Sequence, residues 1–161
     1  MREIKRYPVT GLCGETLNAV ELTPAQSLAH ASSSFDKTNR GWMPKNHLLN
    51  LSRDKKIAQL SVSFEPACNQ LTLSRGGRQV ASGITEMPAG RLMLDQFFAD
   101  FTPAGGRDNP KLVEAGDSTF ADVPKPYVSN FSTASLNEIE RVARRFIQIQ
   151  RFRGNLVVDD A

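Results

Sequence analysis

The segment from Arg151 to Val158 contains the residue types best suited to binding an anion. Arg151 and Arg153 alternate with Phe152, and Gly154 and Asn155 precede an apolar, β-branched run. A guanidinium presents a planar set of donors to a phosphate or carboxylate, and an amide can both donate and accept. A glycine lets a ligand approach the backbone closely. The segment therefore predicts an anion site at the start of a strand, although basic residues beside a strand are more often solvated surface.

A second set of anion-directed groups lies upstream, where Ser132, Thr133 and Ser135 precede the last predicted helix. The N-terminus of a helix has free N–H groups and a partial positive charge, so it attracts phosphate without a glycine-rich loop. The same helix joins this set to Arg151, Arg153 and Asn155, and we therefore expect the two sets to converge. The alternative is that Ser135 only caps the helix.

The last helix is the most clearly patterned element of the chain. Ser135 with Glu138 three residues later is the capping-box signature of a helix start. Apolar residues then recur at helical spacing, which predicts a buried stripe. The stripe consists of Leu136, Ile139, Val142, Ala143 and Phe146. Glu140 and Arg144 are spaced to pair on the exposed side.

Short alternating segments predict that most of the remaining chain forms strands. Residues 4–9 and 17–22 suggest an opening hairpin, while residues 21–39 lack periodicity and suggest a polar loop. Residues 57–64 alternate apolar and polar side chains, which predicts a strand. Two further strands are predicted around Leu71 to Leu73 and at Val80. The Gly76-Gly77 turn joins these two strands, and the three strands together form a meander. Short extended segments are also expected at residues 111–115 and 127–131.

A second helix is predicted over residues 90–101, with Leu94, Phe97, Phe98 and Phe101 on a core-facing stripe. Two helices among many short strands indicate one α+β domain over residues 1–161 that is β-rich, mostly antiparallel and shaped as an open or incomplete barrel. Trp42, the only tryptophan, is expected to cover the core.

Composition limits the function classes. The 161 residues are 40% hydrophobic and 23% charged, with a formal net charge of +3 and a pI near 9.1. This mildly basic balance favours a small anionic ligand, and without a dense Lys/Arg run nucleic-acid binding is disfavoured. No apolar run is long enough to span a bilayer and the start has no signal-peptide core, so we expect a cytoplasmic protein without a membrane partner.

Several familiar catalytic patterns are missing from the sequence. It contains no hydrolase elbow, P-loop, dinucleotide fingerprint or His-Glu-x-x-His motif. Cys13 and Cys68 belong to no Cys-x-x-Cys pair and are expected to be free, partly buried thiols. His30 and His47 have no acid at metal-ligand spacing, so no protein metal site is predicted. Asp159-Asp160 is expected to be a solvated strand end.

Taken in order, several segments resemble the MOSC-domain family, named after the C-terminal domain of molybdenum cofactor sulfurase. Tyr7-Pro8-Val9-Thr10-Gly11-Leu12-Cys13-Gly14-Glu15 is similar to its YPVKGLxGE opening, and residues 151–158 resemble its RFRPNLVV strand. The segments between them that are similar to bacterial members are Phe35-Asp36, Trp42-Met43-Pro44-Lys45, Leu48-Leu49-Asn50-Leu51, Val80-Ala81-Ser82-Gly83 and Phe120-Ala121-Asp122-Val123.

The resemblance implies a MOSC-like β-barrel that binds the molybdenum cofactor, molybdopterin with its metal, and handles sulfur or carries out molybdenum-dependent reduction. In the family the pterin phosphate is held by the opening motif, a Ser/Thr run before a helix, and the arginine and asparagine of the late strand. Transferred to this chain, these positions are Thr10, Gly11, Ser132, Thr133, Ser135, Arg153 and Asn155, and the adjacent Arg151 completes the predicted cofactor-binding set.

Three features depart from the family pattern. Thr10 replaces the usual lysine, and the short segment with an Asp-Arg motif is skipped near residues 27–30. The sequence ends at Ala161, so we expect the family's cysteine-bearing C-terminal half to be missing; thiolate is the soft ligand that such chemistry needs. Neither Cys13 nor Cys68 occupies the position of that cysteine, and no catalytic residue is assigned.

The sequence thus predicts a MOSC-type cofactor-binding protein, with enzymatic activity left open. The alternative is a non-enzymatic interaction module or shortened family remnant that does not bind the cofactor. An exposed apolar sheet edge in such a remnant would predict self-association or pairing with a complementing chain.

Overall fold

The computed structural model describes residues 2–21, 28–31, 47–52, 54–102, 110–114 and 127–159. The chain divides into two compact units. The terminal unit comprises Met1–Tyr7, Gly14–Leu22 and Tyr127–Ala161, and the central unit comprises Pro8–Cys13 and Thr23–Pro126. Within the described ranges, none of the helices has the length and apolar character needed to cross a bilayer. The expectation of a single domain stays a prediction.

Among the described residues, nine strands and two α-helices form these units. In chain order they are β1 Glu3–Arg6, β2 Glu15–Leu17, β3 Leu28–Ala31, β4 Leu60–Glu65, β5 Gln70–Arg75, β6 Arg78–Ile84, α1 Pro88–Phe101, β7 Lys111–Glu114, β8 Asn130–Ser132, α2 Thr133–Ala143 and β9 Leu156–Val158. Short 3₁₀ turns lie at Lys55–Gln59 and Ile149–Phe152. The predicted α+β class with two helices is confirmed for the described residues, whose strand pairs are antiparallel except one.

The terminal unit contains a four-stranded sheet in the order β2-β1-β9-β8. The predicted pairing of an opening hairpin is confirmed, because β1 and β2 pair antiparallel with Ile4 opposite Leu17, but β2 ends at Leu17 instead of beginning there. An ion pair across these strands joins Arg6 Nε to Glu15 Oε1 at 2.7 Å. β8 and β9 pair in parallel, so the chain between them must cross over, and α2 forms that connection.

The N-cap of α2 lies three residues before the N-cap of the predicted capping box. Ser132 has extended backbone angles, and its Oγ accepts a hydrogen bond from the Ser135 N–H at 3.1 Å. Ser132 is therefore the N-cap, and the prediction that Ser135 begins the helix is wrong. Both serines can cap, and the first of them does so because it is the last residue of β8, where the extended backbone ends and the helix begins.

The predicted buried stripe of α2 is also wrong. No residue of α2 is buried: Leu136 and Ile139 are half-buried, while Val142 and Phe146 are 70% and 80% exposed. The helix ends before Phe146, because Arg144 adopts the left-handed conformation with φ of 51°. Glu140 Oε1 accepts a hydrogen bond from the Ile147 N–H at 2.7 Å rather than pairing with Arg144 as expected.

The central unit contains the predicted meander, β4-β5-β6. Val62 pairs with Leu73, which pairs in turn with Ala81, so the apolar alternation faces one side. Gly76 and Gly77 have φ of 57° and 77°, as their turn requires. The first strand begins at Leu60 instead of Ile57, which is buried within the preceding 3₁₀ turn.

α1 lies against β6 and closes the core of the central unit. Gly83 and Gly90 permit the close approach, since a Cβ on Gly90 would lie 2.3 Å from the Ile84 carbonyl oxygen. Leu94 and Phe98 are buried, and Phe97 and Phe101 pack against the same core, which confirms the predicted stripe. The buried cluster consists of Val9, Leu12, Leu49, Ile57, Leu60, Val62, Leu71, Leu73, Leu94, Phe98 and Leu112.

A two-stranded antiparallel ladder, β3 with β7, completes the described sheets. β3 falls inside the segment predicted to be a polar loop, whereas β7 matches the predicted short strand. The sheets are open, and no barrel closure is found among the described residues. Trp42 and the Ser32-Ser33-Ser34 run lie outside those residues.

Candidate functional site

The parallel pairing of β8 with β9 separates the two predicted sets of anion-binding residues. Ser132 at the end of β8 lies opposite Val158 at the end of β9, whereas Asn155, just before β9, bonds to Ser129, just before β8. Three residues of a strand span about 10 Å. The two sets therefore lie at opposite edges of this strand pair, and the expectation that they converge is wrong. By edge we mean an end of the two paired strands. The N-terminal edge is the end at which β8 and β9 begin, and the C-terminal edge is the end at which they finish.

The backbone at the N-terminal edge is shaped by an irregular segment, as the sequence predicts. The 3₁₀ turn Ile149–Phe152 ends at Arg153, which has a left-handed φ of 53°. Gly154 is buried, and a Cβ there would lie 3.2 Å from the Phe131 Cβ. The Phe152 ring stacks on the Phe131 ring with centroids 4.4 Å apart. These contacts fix the path of the chain into β9.

Arg153 lies over an aromatic ring at this edge. Its guanidinium carbon is 4.2 Å from the centroid of the Tyr7 ring, and the Tyr7 hydroxyl donates a hydrogen bond to the Gly154 carbonyl at 3.4 Å. Tyr7 directly follows β1, whose antiparallel register with β9 brings it beside Arg153. Sequence reasoning did not assign Tyr7 to the site, and the signal that identifies it is the β1/β9 register.

Asn155 connects three strands through its side chain. Its Oδ1 accepts hydrogen bonds from the Ser129 N–H at 3.1 Å and from the Ser129 hydroxyl at 2.9 Å. Its Nδ2 donates to the Lys5 carbonyl at 3.3 Å. The Asn155 amide therefore has a structural role at this edge, holding β1 and the start of β8 to β9. Its predicted role as a cofactor ligand stays a prediction.

Arg151 lies on the exposed side of the 3₁₀ turn, two residues before Arg153. Its backbone N–H closes the turn by donating to the Gln148 carbonyl at 3.1 Å. The N-terminal edge thus carries two guanidinium groups from one short segment. Both can meet an oxyanion with charge-assisted hydrogen bonds.

At the C-terminal edge, Ser132, Thr133 and Ser135 surround the first turn of α2. The Ser132 hydroxyl caps the helix and lies 3.0 Å from the Ser135 hydroxyl oxygen, so these two serines bond to each other. Thr133 is half-buried at the first helical position. Capping accounts for the two serines without a ligand, while the helix N-terminus retains its preference for negative charge.

Thr10 and Gly11 belong to the central unit. Gly11 has φ of 88°, and a Cβ on it would lie 2.6 Å from the Leu49 carbonyl oxygen. The turn at this position therefore requires glycine, which explains Gly11 without a ligand. Thr10 is half-buried beside it.

Cys13 and Cys68 are free and exposed, so the expectation of partly buried thiols is wrong. His47 is exposed and His30 lies in β3. Within the part of the chain that the structure describes, no group of three or more His, Cys, Asp or Glu side chains could hold a metal ion. Asp159 pairs with Arg2 at 3.9 Å, and Asp160 lies outside the described residues.

Comparison with known proteins adds no further assignment. Neither protein-family models nor curated proteins nor solved structures gave a match to this chain.

Proposed function

We propose that this chain is a MOSC-type protein that binds the molybdenum cofactor through the cofactor's phosphate, with Arg153 as the principal protein contact. The observation that carries the proposal is the position of Arg153 over the Tyr7 ring, within the segment that resembles the late strand of the MOSC family. The MOSC-like barrel and the cytoplasmic location belong to the same proposal.

The contact with Tyr7 suits Arg153 for binding a phosphate. A cation–π contact uses the face of a guanidinium, whereas hydrogen bonds to a phosphate use the N–H groups at its rim. The two interactions are therefore compatible. A guanidinium that already lies on a ring also loses less conformational freedom when an anion binds.

The separation of the two edges limits how a phosphate can be held. Because they lie about 10 Å apart, one phosphate group contacts one edge only. Arg153 and Arg151 fit the phosphate, and the helix N-terminus with Thr133 and Ser135 fits another polar part of an extended ligand. When bound, the cofactor supplies the molybdenum chemistry. The residues of this chain bind and orient it, and the thiolate that sulfur transfer or reduction needs is assigned to neither Cys13 nor Cys68.

Titration of isolated molybdenum cofactor into the folded chain and into Arg153→Ala tests the assignment. Loss of a charge-assisted contact predicts roughly 10- to 100-fold weaker binding. Arg78→Ala is the matched control, since Arg78 is an exposed arginine of β6 in the other unit. Near-UV circular dichroism checks that each variant is folded. Equal affinity of Arg153→Ala and the parent would reject Arg153 as the phosphate ligand.

A non-enzymatic interaction module is the second candidate. The observation that favours it is the exposure of Val142 and Phe146, two apolar side chains for which the described fold supplies no cover. Such a module would pair with itself or with a complementing chain. Light scattering over a range of concentrations tests self-association, and a strictly monomeric species throughout would argue against it.

A further inference from the structure

The segment from Arg141 to Val158 combines a high positive charge with exposed apolar side chains. It contains no aspartate or glutamate. Its five arginines are Arg141, Arg144, Arg145, Arg151 and Arg153. The proposed cofactor site uses Arg153 and Arg151 only, so most of this charge is not explained by that function.

The topology of the terminal unit gathers the part of this segment that precedes β9, residues 141–154, at the N-terminal edge of the β8/β9 pair. α2 begins where β8 ends, and the chain must return to the opposite edge before β9 can run parallel to β8. An 11-residue helix is about 16 Å long, which is sufficient for that return. The end of α2, the 3₁₀ turn and the residues preceding β8 therefore share one edge of the unit.

The arginines at this edge differ in their surroundings. Arg141 pairs with Glu138 at 2.6 Å, and Arg153 lies over Tyr7. Arg144, Arg145 and Arg151 are exposed. These three retain their charge at the surface without an acidic residue of their own segment to neutralise it, and they favour an anionic partner.

Apolar side chains are exposed at the same edge. Phe146 is 80% exposed and Val142 70%, and Tyr127 and Val128 just before β8 are 54% and 48% exposed. Phe152, stacked on Phe131, is 39% exposed. The partner of this edge must therefore offer both negative charge and apolar contact.

We propose that this edge binds the surface of a membrane containing anionic lipids, a partner that the sequence alone did not predict. Proteins that bind at a membrane interface typically combine arginines, which contact the lipid headgroups, with neighbouring apolar side chains, which enter the boundary between headgroups and acyl chains. Burial of the aliphatic side chains of Val128 and Val142 in lipid is favourable, whereas aliphatic side chains cannot stack on nucleic-acid bases. One face of the Phe152 ring is already covered by Phe131. These features favour a lipid surface over single-stranded nucleic acid, which is bound by stacking on aromatic rings.

Cosedimentation of the full chain with lipid vesicles tests the proposal without any cofactor. One set of vesicles contains phosphatidylcholine alone and the other also contains phosphatidylserine. We expect binding to the second set, weakened by salt, and about 30-fold weaker binding for the double variant Arg144→Gln, Arg145→Gln. Phe146→Ser should weaken the binding that remains at high salt. The matched control is Arg78→Gln with Val80→Ser, which removes one exposed arginine and one exposed valine from the central unit.

Three results would overturn this proposal. The folded chain could fail to bind the anionic vesicles, or it could bind both vesicle types equally. The arginine variant could also bind as tightly as the control variant. Binding to a single-stranded oligonucleotide with no binding to vesicles would assign the edge to nucleic acid instead. All these outcomes are independent of cofactor binding, so the failure of one proposal does not decide the other.

Discussion

Phe98 and Phe146 both lie at apolar positions of a helical pattern, yet one is 0% exposed and the other 80%. Phe98 lies within α1, whereas Phe146 lies beyond the end of α2, and the two units also differ in what they pack against their helices. α1 lies against the seven-residue strand β6, with two glycines that permit close approach. α2 follows the three-residue strand β8 and has no buried residue. A helical apolar stripe indicates burial only where a sheet of sufficient length covers it.

Truncating the two phenylalanines measures this contrast directly. Phe98→Ala should lower the free energy of unfolding by about 3–5 kcal/mol, because it leaves a cavity in a packed core. Phe146→Ala should change it by less than about 0.5 kcal/mol, since an exposed ring loses little contact. Chemical denaturation of both variants provides the measurement. Similar losses would mean that Phe146 is covered in solution.

Asn155→Ala tests whether the N-terminal edge is held by the Asn155 side chain. The substitution removes three hydrogen bonds, to the Ser129 N–H, the Ser129 hydroxyl and the Lys5 carbonyl. We expect a loss of about 2–3 kcal/mol, because half-buried partners lose their bonds. Chemical denaturation of Asn155→Ala provides the measurement, and Asn18→Ala, at an exposed asparagine, is the control. An unchanged stability would contradict the structural role of Asn155.

Ser132→Ala tests the position of the N-cap. Loss of the bond to the Ser135 N–H should cost about 1 kcal/mol, whereas Ser135→Ala should cost less because Ser135 does not cap the helix. Thermal unfolding followed by far-UV circular dichroism compares the two variants. A larger loss for Ser135→Ala would restore the capping box predicted from the sequence.

The ion pair on the exposed face of α2 gives the smallest expected effect. The hydrogen bond from Arg141 lowers the pKa of Glu138 below its ordinary value. The contribution of this ion pair to stability is present above the pKa that Glu138 has in the unfolded chain. It is lost as the pH falls through the lowered pKa of Glu138 in the folded protein. Titration of the Glu138 carboxyl by NMR should show that Arg141→Gln raises this pKa. An equal pKa in both proteins would contradict the pairing.

Local pattern was sufficient to predict the meander and α1. Period-two alternation through Val62 and Leu73, the Gly76-Gly77 turn and the spacing of Leu94 and Phe98 specify these elements through short-range contacts. Periodicity was not sufficient for α2, where Arg144 turns left-handed and ends the helix before Phe146. β3 was missed because a short strand without alternation has no signal of its own in the sequence.

The sequence predicted which residue types form the candidate site, but it did not predict how they are arranged in space. The charge of Arg153 and the turn at Gly154 follow from local sequence. The partnership of Arg153 with Tyr7 depends on the β1/β9 register, which joins the two ends of the chain. The separation of Ser132 from Asn155 depends on the parallel direction of β8 and β9. Strand direction and register are long-range properties that spacing alone does not encode.

The most direct test of the proposed function is the content of molybdenum and pterin per folded chain after expression in a host that makes the cofactor. We expect close to one molybdenum and one pterin per chain, and a clear loss of both in Arg153→Ala but not in Arg78→Ala. A folded parent chain that carries neither would contradict cofactor binding and favour the interaction module.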